Sequence, residues 1–386
     1  MKKILVVYQS MVIGGSTTSL ISFLNSIDKK QFDIDLLLSE NKGDLFDKIP
    51  DGVNVLPQGR YNISKLLKLI VSMFHKEFYR ILFYRLFVKK KKSTIMQLNA
   101  YNAVSFSRRI KKKYDVAIGY MELWPDSYVL SNRIKADKKV IWIHTDYLNA
   151  GLDFRVDKPY YKKADKIVLV SNDCLKNFQH ECAEYSSKAV VVENILDKSF
   201  LKTRSKEYKI EVNNSAMNFL TVCRLDVYTK GLDRLVNVAS RLKNDGYEFQ
   251  WYVVGDGDID CLRKMCLECG VDDRLIFTGH KSNPYPFFTA CDCFVLPSRY
   301  EGKPMVITEA QMLALPAVVT EYATARDQIK HGVEGLVVNN SEDGLYSGLK
   351  RILDAQEVLK QFAHNLLIKD FDYKETIEKI NGDLLI

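Results

Sequence analysis

Short apolar runs alternate with longer segments of helical period along nearly all of this 386-residue chain. In the first half, strands are predicted at Ile4–Tyr8, Ile34–Leu38, Val116–Gly119, Val140–His144, Ile167–Val170 and Val190–Val192. In the second half they recur at Phe219–Cys223, Gln250–Val254, Leu275–Thr278, Cys293–Leu296, Ala317–Thr320 and Gly335–Val338. Such alternation is the pattern of parallel sheets covered by helices on both faces. The charged stretch from Asp197 to Asn218 separates the two sets and reads as an interdomain connection. An α/β protein of two doubly wound, Rossmann-like domains follows, with the first domain over residues 1–200 and the second over 201–370.

Length agrees with this division, since the chain is about twice a typical single domain and its 47% hydrophobic content is ordinary for a globular protein. Two lysines precede the first apolar run, but Gln9 ends that run after five residues and no small-residue cleavage site follows. The segment therefore reads as a buried first strand, and a cytoplasmic protein is expected. Of the eight cysteines, Cys266 and Cys269 have the spacing of a zinc knuckle. A second matching pair is missing, and Cys291 and Cys293 point to opposite faces of a strand. Reduced thiols and no bound metal are expected.

The net charge of +8 is concentrated rather than spread. Between Arg60 and Lys113 there are fifteen Lys or Arg against a single acidic residue, Glu77. Within that region, Lys65–Val88 is rich in Leu, Ile and Phe, and Lys89, Lys90, Lys91 and Lys92 follow it. Its uncharged runs fall short of the roughly 18 to 20 residues needed to span a bilayer. Residues 60–92 therefore read either as a helix pair lying on an anionic membrane surface or as a core-packed pair with a solvated basic face. A basic stripe also fits nucleic acid, but no recognised binding motif accompanies it, and no nucleic-acid partner is expected.

Candidate chemistry sits in the turns after strands, where helix amino termini offer unpaired N–H groups and partial positive charge. Gly14-Gly15-Ser16-Thr17-Thr18 is one such turn, matching neither the dinucleotide fingerprint nor a P-loop, so a plain tight turn and a ligand loop both remain open. Val254-Gly255-Asp256-Gly257 ends another strand and reads as a strand-to-helix turn. Arg224 and Lys230 flank a loop at the carboxyl end of a strand, where two fixed cations suit a diphosphate. From Pro297 to Ala310 a strand end gives way to a glycine loop and then a helix, with Pro304 expected in the helix's first turn. Backbone N–H groups of Lys303, Pro304's successors Met305 and Val306, and the Gly302 turn would face a phosphate, bracketed by Glu301 and Glu309.

These residues in this order closely resemble glycosyltransferase family 4. The resemblance runs from about Phe219 to Val338 and rests on Arg224-Leu225, Lys230-Gly231, Val254-Gly255-Asp256-Gly257, Leu275–Gly279, Glu301-x7-Glu309 within Pro-Ser-x-x-Glu-Gly-x-Pro, and Gly332-x-x-Gly335. It implies a GT-B fold, whose two domains face across a cleft, and retaining, metal-independent transfer from a nucleotide diphosphate sugar, with a UDP-sugar expected. By position, Arg224 and Lys230 would bind the donor diphosphate, Glu309 the ribose and Glu301 the sugar side. Gly14 and Gly15 would close on the donor, and His144 would contact its sugar. The resemblance also implies that a helical stretch at about 371–386 packs back on the first domain. Three departures stand out: Cys223 before the arginine, Lys303 between Gly302 and Pro304, and Ala323–Asp327 in place of a glycine pair and Glu. The expected acceptor is a glycan or a lipid-linked glycan in cell-surface polysaccharide synthesis, which would place the protein at the inner face of the membrane. An epimerase or hydrolase of the same fold, or a catalytically silent partner protein, are the alternatives.

Overall fold

The structure is a computed structural model describing residues 1–62, 64–87, 92–147 and 150–386. Two compact units divide the chain: Met1–Ile195 with Tyr373–Ile386, and Leu196–Asp372.

In the first unit seven strands form one sheet: β1 (Lys2–Tyr8), β2 (Phe32–Leu38), β3 (Val53–Val55), β4 (Lys113–Gly119), β5 (Lys135–Ile143), β6 (Lys166–Leu169) and β7 (Ala189–Val191). Their order is β3-β2-β1-β4-β5-β6-β7, and every neighbouring pair is parallel. Central position explains the unbroken apolar run of β1, where Ile4 lies between Ile34 and Val116 and Ile4 to Val7 are fully buried. The pattern of apolar residues did not reveal β3, which is three residues long, carries Asn54 and lies half-exposed at the sheet edge.

The second unit holds β8 (Met217–Val222), β9 (Phe249–Val254), β10 (Leu275–Gly279), β11 (Cys293–Leu296), β12 (Ala317–Thr320) and β13 (Gly335–Val338). These also pair in parallel, in the order β10-β9-β8-β11-β12-β13. The helix Leu232–Asn244 buries Leu232, Leu235, Val236, Val238, Ala239 and Leu242, a stripe of helical period, into a core that includes Phe219, Phe249 and Trp251. Each of the buried Leu and Val side chains contributes roughly 1.5–3 kcal/mol. Polar atoms within this core are paired: the Trp251 indole donates to the Thr221 hydroxyl at 3.0 Å, and that hydroxyl donates to the Val295 carbonyl at 2.7 Å.

Both sheets have their strand order reversed beside the first strand, between β1 and β4 and between β8 and β11. At such a switch point the crossovers leave to opposite faces, and a crevice opens at the carboxyl ends of the two strands. Gly14 follows β1, and the Arg224–Gly231 and Pro297–Pro304 loops follow β8 and β11. Topology thus assigns all three loops to positions that receive ligands.

Residues Tyr373–Ile386 belong to the first unit, as a helix Lys374–Lys379 continued by a wider turn through Leu384. Ile380, Leu384 and Leu385 are buried, and Lys379 Nζ donates to the Val191 carbonyl at 2.6 Å. Lys89, Lys90 and Lys91 of the basic run, with Val88, lie outside the described residues.

Candidate functional site

Because β8 and β11 pair directly, with Phe219 opposite Cys293, the loops that leave their carboxyl ends meet. Lys230 Nζ lies 2.7 Å from Glu301 Oε1, and the Ser298 hydroxyl donates to the same oxygen at 2.7 Å. Both charged side chains are largely buried, so solvent screens this pair less than it would an exposed one. The Arg299 amide donates to the Thr229 carbonyl at 2.9 Å, and its guanidinium forks onto both Asp233 oxygens at 2.7 and 2.6 Å, tying the two loops together. Gly231 has φ of +65°, and a Cβ there would fall 2.0 Å from the Pro297 carbonyl oxygen. Only glycine allows the cation loop to lie against the glutamate loop at that distance.

Arg224 carries an exposed guanidinium, 3.8 Å from Asp226. The Cys223 thiol lies within electrostatic reach of Lys230, Glu301, Arg224 and Asp226, and burial pushes it up to about 12, so it stays a neutral thiol. Its carbonyl explains Gly255, where any Cβ would be 1.8 Å from Cys223 O. The Val254–Gly257 glycines are therefore accounted for by close packing of backbone.

The helix Met305–Met312 begins one residue later than expected: Pro304 is extended, at φ −66° and ψ 118°, and caps the helix from outside. No side chain caps that amino terminus, which leaves the first N–H groups, those of Met305 and Val306 among them, for another partner. No atom lies within 4 Å of a Cβ built on Gly302, so the backbone there opens onto free space. The loop of Gly302, Lys303 and Pro304 is fastened from behind: the Thr324 hydroxyl donates to the Gly302 carbonyl, and Gln328 Nε2 to the Pro304 carbonyl at 3.1 Å. Thr324 lies within the stretch that departs from the resembled family, so the departure supplies a support for this loop.

Glu309 does not stand beside Glu301 as a second free carboxylate. It is 7% exposed and accepts a hydrogen bond from the Tyr285 hydroxyl at 3.1 Å, and burial raises its pKa to about 7. Tyr285 and Gln328 had no signal in the sequence, being ordinary polar residues that only the fold aligns with the loops, whereas Ser298 and Thr324 stood inside stretches already marked but without a sign of the bonds they make.

In the first unit, Gly14 precedes the helix α1 (Gly15–Ser26), caps it without a side chain, and meets no atom within 4 Å of a built Cβ. The Tyr8 hydroxyl donates to Ser16 at 2.8 Å and anchors this turn. His144 follows β5 directly, and its backbone N–H donates to Glu122 Oε2 at 3.1 Å. Its ring lies against Tyr120, with centroids 5.0 Å apart, and neither ring nitrogen closes a well-formed hydrogen bond. Burial lowers its pKa to about 4, so the imidazole is neutral at pH 7.

All eight cysteines are unbonded. Among the described residues, no group of three or more His, Cys, Asp or Glu is placed to hold a metal ion, and no helix is long and apolar enough to cross a membrane.

Residues 202–366 match the family described as glycosyl transferases group 1. An uncharacterized glycosyltransferase of Methanocaldococcus jannaschii is 24% identical over 64% of this chain and 63% of its own. A 4-alpha-N-acetylgalactosaminyltransferase of Campylobacter jejuni, named for a diphospho-undecaprenol-linked substrate, is 25% identical over 52% of this chain and 54% of its own. The chain thus matches little more than half the length of these curated relatives. Among solved structures, Anabaena HepE in complex with UDP-glucose aligns with a TM-score of 0.70 and 16% identity, covering 100% of this chain and 99% of that one. The chain has the GT-B fold and, over residues 202–366, is similar to the group 1 glycosyl transferases.

Proposed function

We propose that the protein is a retaining glycosyltransferase that moves a sugar from a UDP-sugar to a lipid-linked glycan during synthesis of a cell-surface polysaccharide. One observation carries this reading: Lys230, Glu301 and the open amino terminus of Met305–Met312 converge at the switch point of the second sheet. Transfer leaves negative charge on the departing diphosphate, and fixed cations with oriented N–H groups stabilise that charge without reorganising. Lys230 would exchange part of its contact with Glu301 for the diphosphate, and Arg224 would swing onto it from its exposed position. Glu301 would then face the sugar, and Glu309 would accept from the ribose. Neutral His144 would offer the sugar a hydrogen bond, and Gly14 and Gly15 would let backbone approach the donor. UDP-glucose in the similar Anabaena structure and the diphospho-undecaprenol in the name of the Campylobacter relative support this choice of donor and acceptor.

The helices α2 (Lys65–Met73) and α3 (Lys76–Phe87) turn Leu66, Leu69, Ile70, Phe74, Leu82 and Leu86 outward. Our reading lays this apolar, basic surface on an anionic membrane at its cytoplasmic side. Nucleotide release from a panel of UDP-sugars, with and without a lipid-linked acceptor, tests the assignment. Acceptor-dependent release supports transfer, whereas release indifferent to acceptor indicates a hydrolase or epimerase, and none indicates a silent partner.

A further inference from the structure

The carboxyl ends of β2 and β3 enclose a pocket of about 270 Å³ lined by Glu40, Lys42, Gln58, Arg60, Tyr61, Asn62 and Lys68. It adjoins the glycine turn after β1, because the Met11 amide donates to the Lys42 carbonyl at 2.9 Å. Lys42 is spoken for by Glu40, 2.5 Å away. Arg60 and Lys68 close no ion pair among the described residues, yet both act on the same carboxylate: Lys42 first, then Arg60 and Lys68, hold Glu40 below its usual range. Two cations that close no ion pair among the described residues thus border a space several water molecules in size.

Lys68 joins this pocket to a surface of opposite character. It lies in α2, whose amino-terminal Ser64 already caps Leu67, and the same helix exposes Leu66 by 68% and, just beyond its end, Phe74 by 85%. α2 is held to the unit through its inner side, where Asn102 donates to the buried Ser72 hydroxyl at 2.9 Å. Its outward leucines therefore have no part in the core. A solvated basic face would put charge, not leucine, outward. A cationic pocket opening at the foot of an apolar helix matches one ligand chemistry: a phosphate or diphosphate carried on a long apolar chain.

We propose that this pocket binds the diphosphate of the lipid-linked acceptor, with Arg60 and Lys68 as its anion ligands and the apolar chain lying along α2. The inference rests on the transferase reading only for the identity of the ligand as acceptor. Tyr61 and Gln58 line the pocket's remaining wall with further hydrogen-bonding groups. Glu40 restrains affinity for the anion and holds Lys42 in place.

The test uses full-length protein and neutral phosphatidylcholine vesicles doped with polyprenyl diphosphate, with inorganic diphosphate as competitor and phosphatidylglycerol vesicles of matched charge as the second arm. Wild type is expected to be retained on the polyprenyl diphosphate vesicles and displaced by inorganic diphosphate. Arg60→Gln with Lys68→Gln should weaken retention at least about tenfold, as loss of charge-assisted hydrogen bonds does. Glu40→Gln should strengthen it several-fold. Unchanged retention in the double variant, or equal losses on phosphatidylglycerol vesicles, overturns the proposal. UDP binding, measured in parallel, should be the same in all variants. Loss of UDP binding in wild type would sink the transferase reading while leaving the pocket result intact.

Discussion

The Tyr285 hydroxyl donates to Glu309 Oε1 at 3.1 Å, and among the described residues this bond is the side-chain support of a carboxyl group that burial pushes up to about 7. The unfolded group titrates near 4.5. Folding therefore takes up a proton between these values, and stability is greatest below about pH 4.5, declines toward pH 7 and is level above. Glu309→Gln keeps the acceptor for Tyr285 and removes the titration. Its melting temperature should exceed that of wild type at pH 8, reflecting a stability difference on the order of 3 kcal/mol, and the gap should largely close at pH 5. Calorimetry at both pH values checks this, and a gap independent of pH would refute it.

His144 produces the opposite slope. Its folded pKa of about 4 lies below the ordinary 6.5, so stability is fully present above pH 6.5 and is lost as pH falls toward 4. His144→Gln should lose less stability than wild type between pH 7 and pH 5. Because Glu309 and His144 lie in different units and act in opposite directions, the wild-type profile partly conceals both. Only paired variants, followed by denaturant titration at each pH, separate them.

Lys230→Ala removes the cation while leaving the backbone of its loop in place. Turnover of a UDP-sugar should fall by about 10²–10³-fold, the usual loss for one donor to a developing anion, with native circular dichroism. Turnover within a few-fold of wild type would remove Lys230 from the site.

Gly231→Ala tests the contact between the two loops. Positive φ and a Cβ 2.0 Å from Pro297 O should cost about 1–3 kcal/mol and displace Lys230 from Glu301. A lower melting temperature and weaker UDP binding are expected together. A stable variant with full affinity would show that the loops need not touch.

Vesicle flotation addresses α2 and α3. The protein should float with phosphatidylglycerol vesicles at low salt and be released as salt rises, since each basic residue near the surface contributes about 1 kcal/mol of screened attraction. Leu66→Ser with Leu69→Ser should reduce flotation at every salt concentration. Flotation unaffected by these changes would assign the apolar surface another partner.

The strands were legible because nearly all lie inside covered parallel sheets and so appear as short apolar runs, whereas Val53-Asn54-Val55 at an edge carries no such mark. Arg224, Lys230 and Glu301 could be singled out from their places after strands, and strand order then accounts for why residues 71 apart in sequence meet at 2.7 Å. Glu309 was legible as a helical carboxylate but not as a buried one, because Tyr285 and the helix that carries it are aligned by tertiary packing alone. Gln328 was invisible for the same reason, and Thr324 was marked only as part of a departing stretch. The pocket around Arg60 lay hidden in a general excess of positive charge, since composition does not separate paired cations from unpaired ones.

Because Ile380, Leu384 and Leu385 are packed into the first unit, that unit draws on two distant stretches of chain. During synthesis the second unit is complete on leaving the ribosome while the first still waits for the fourteen residues from Tyr373 to Ile386. The second unit can thus mature ahead of the first, and deletion of Tyr373–Ile386 would injure the part of the chain translated earliest.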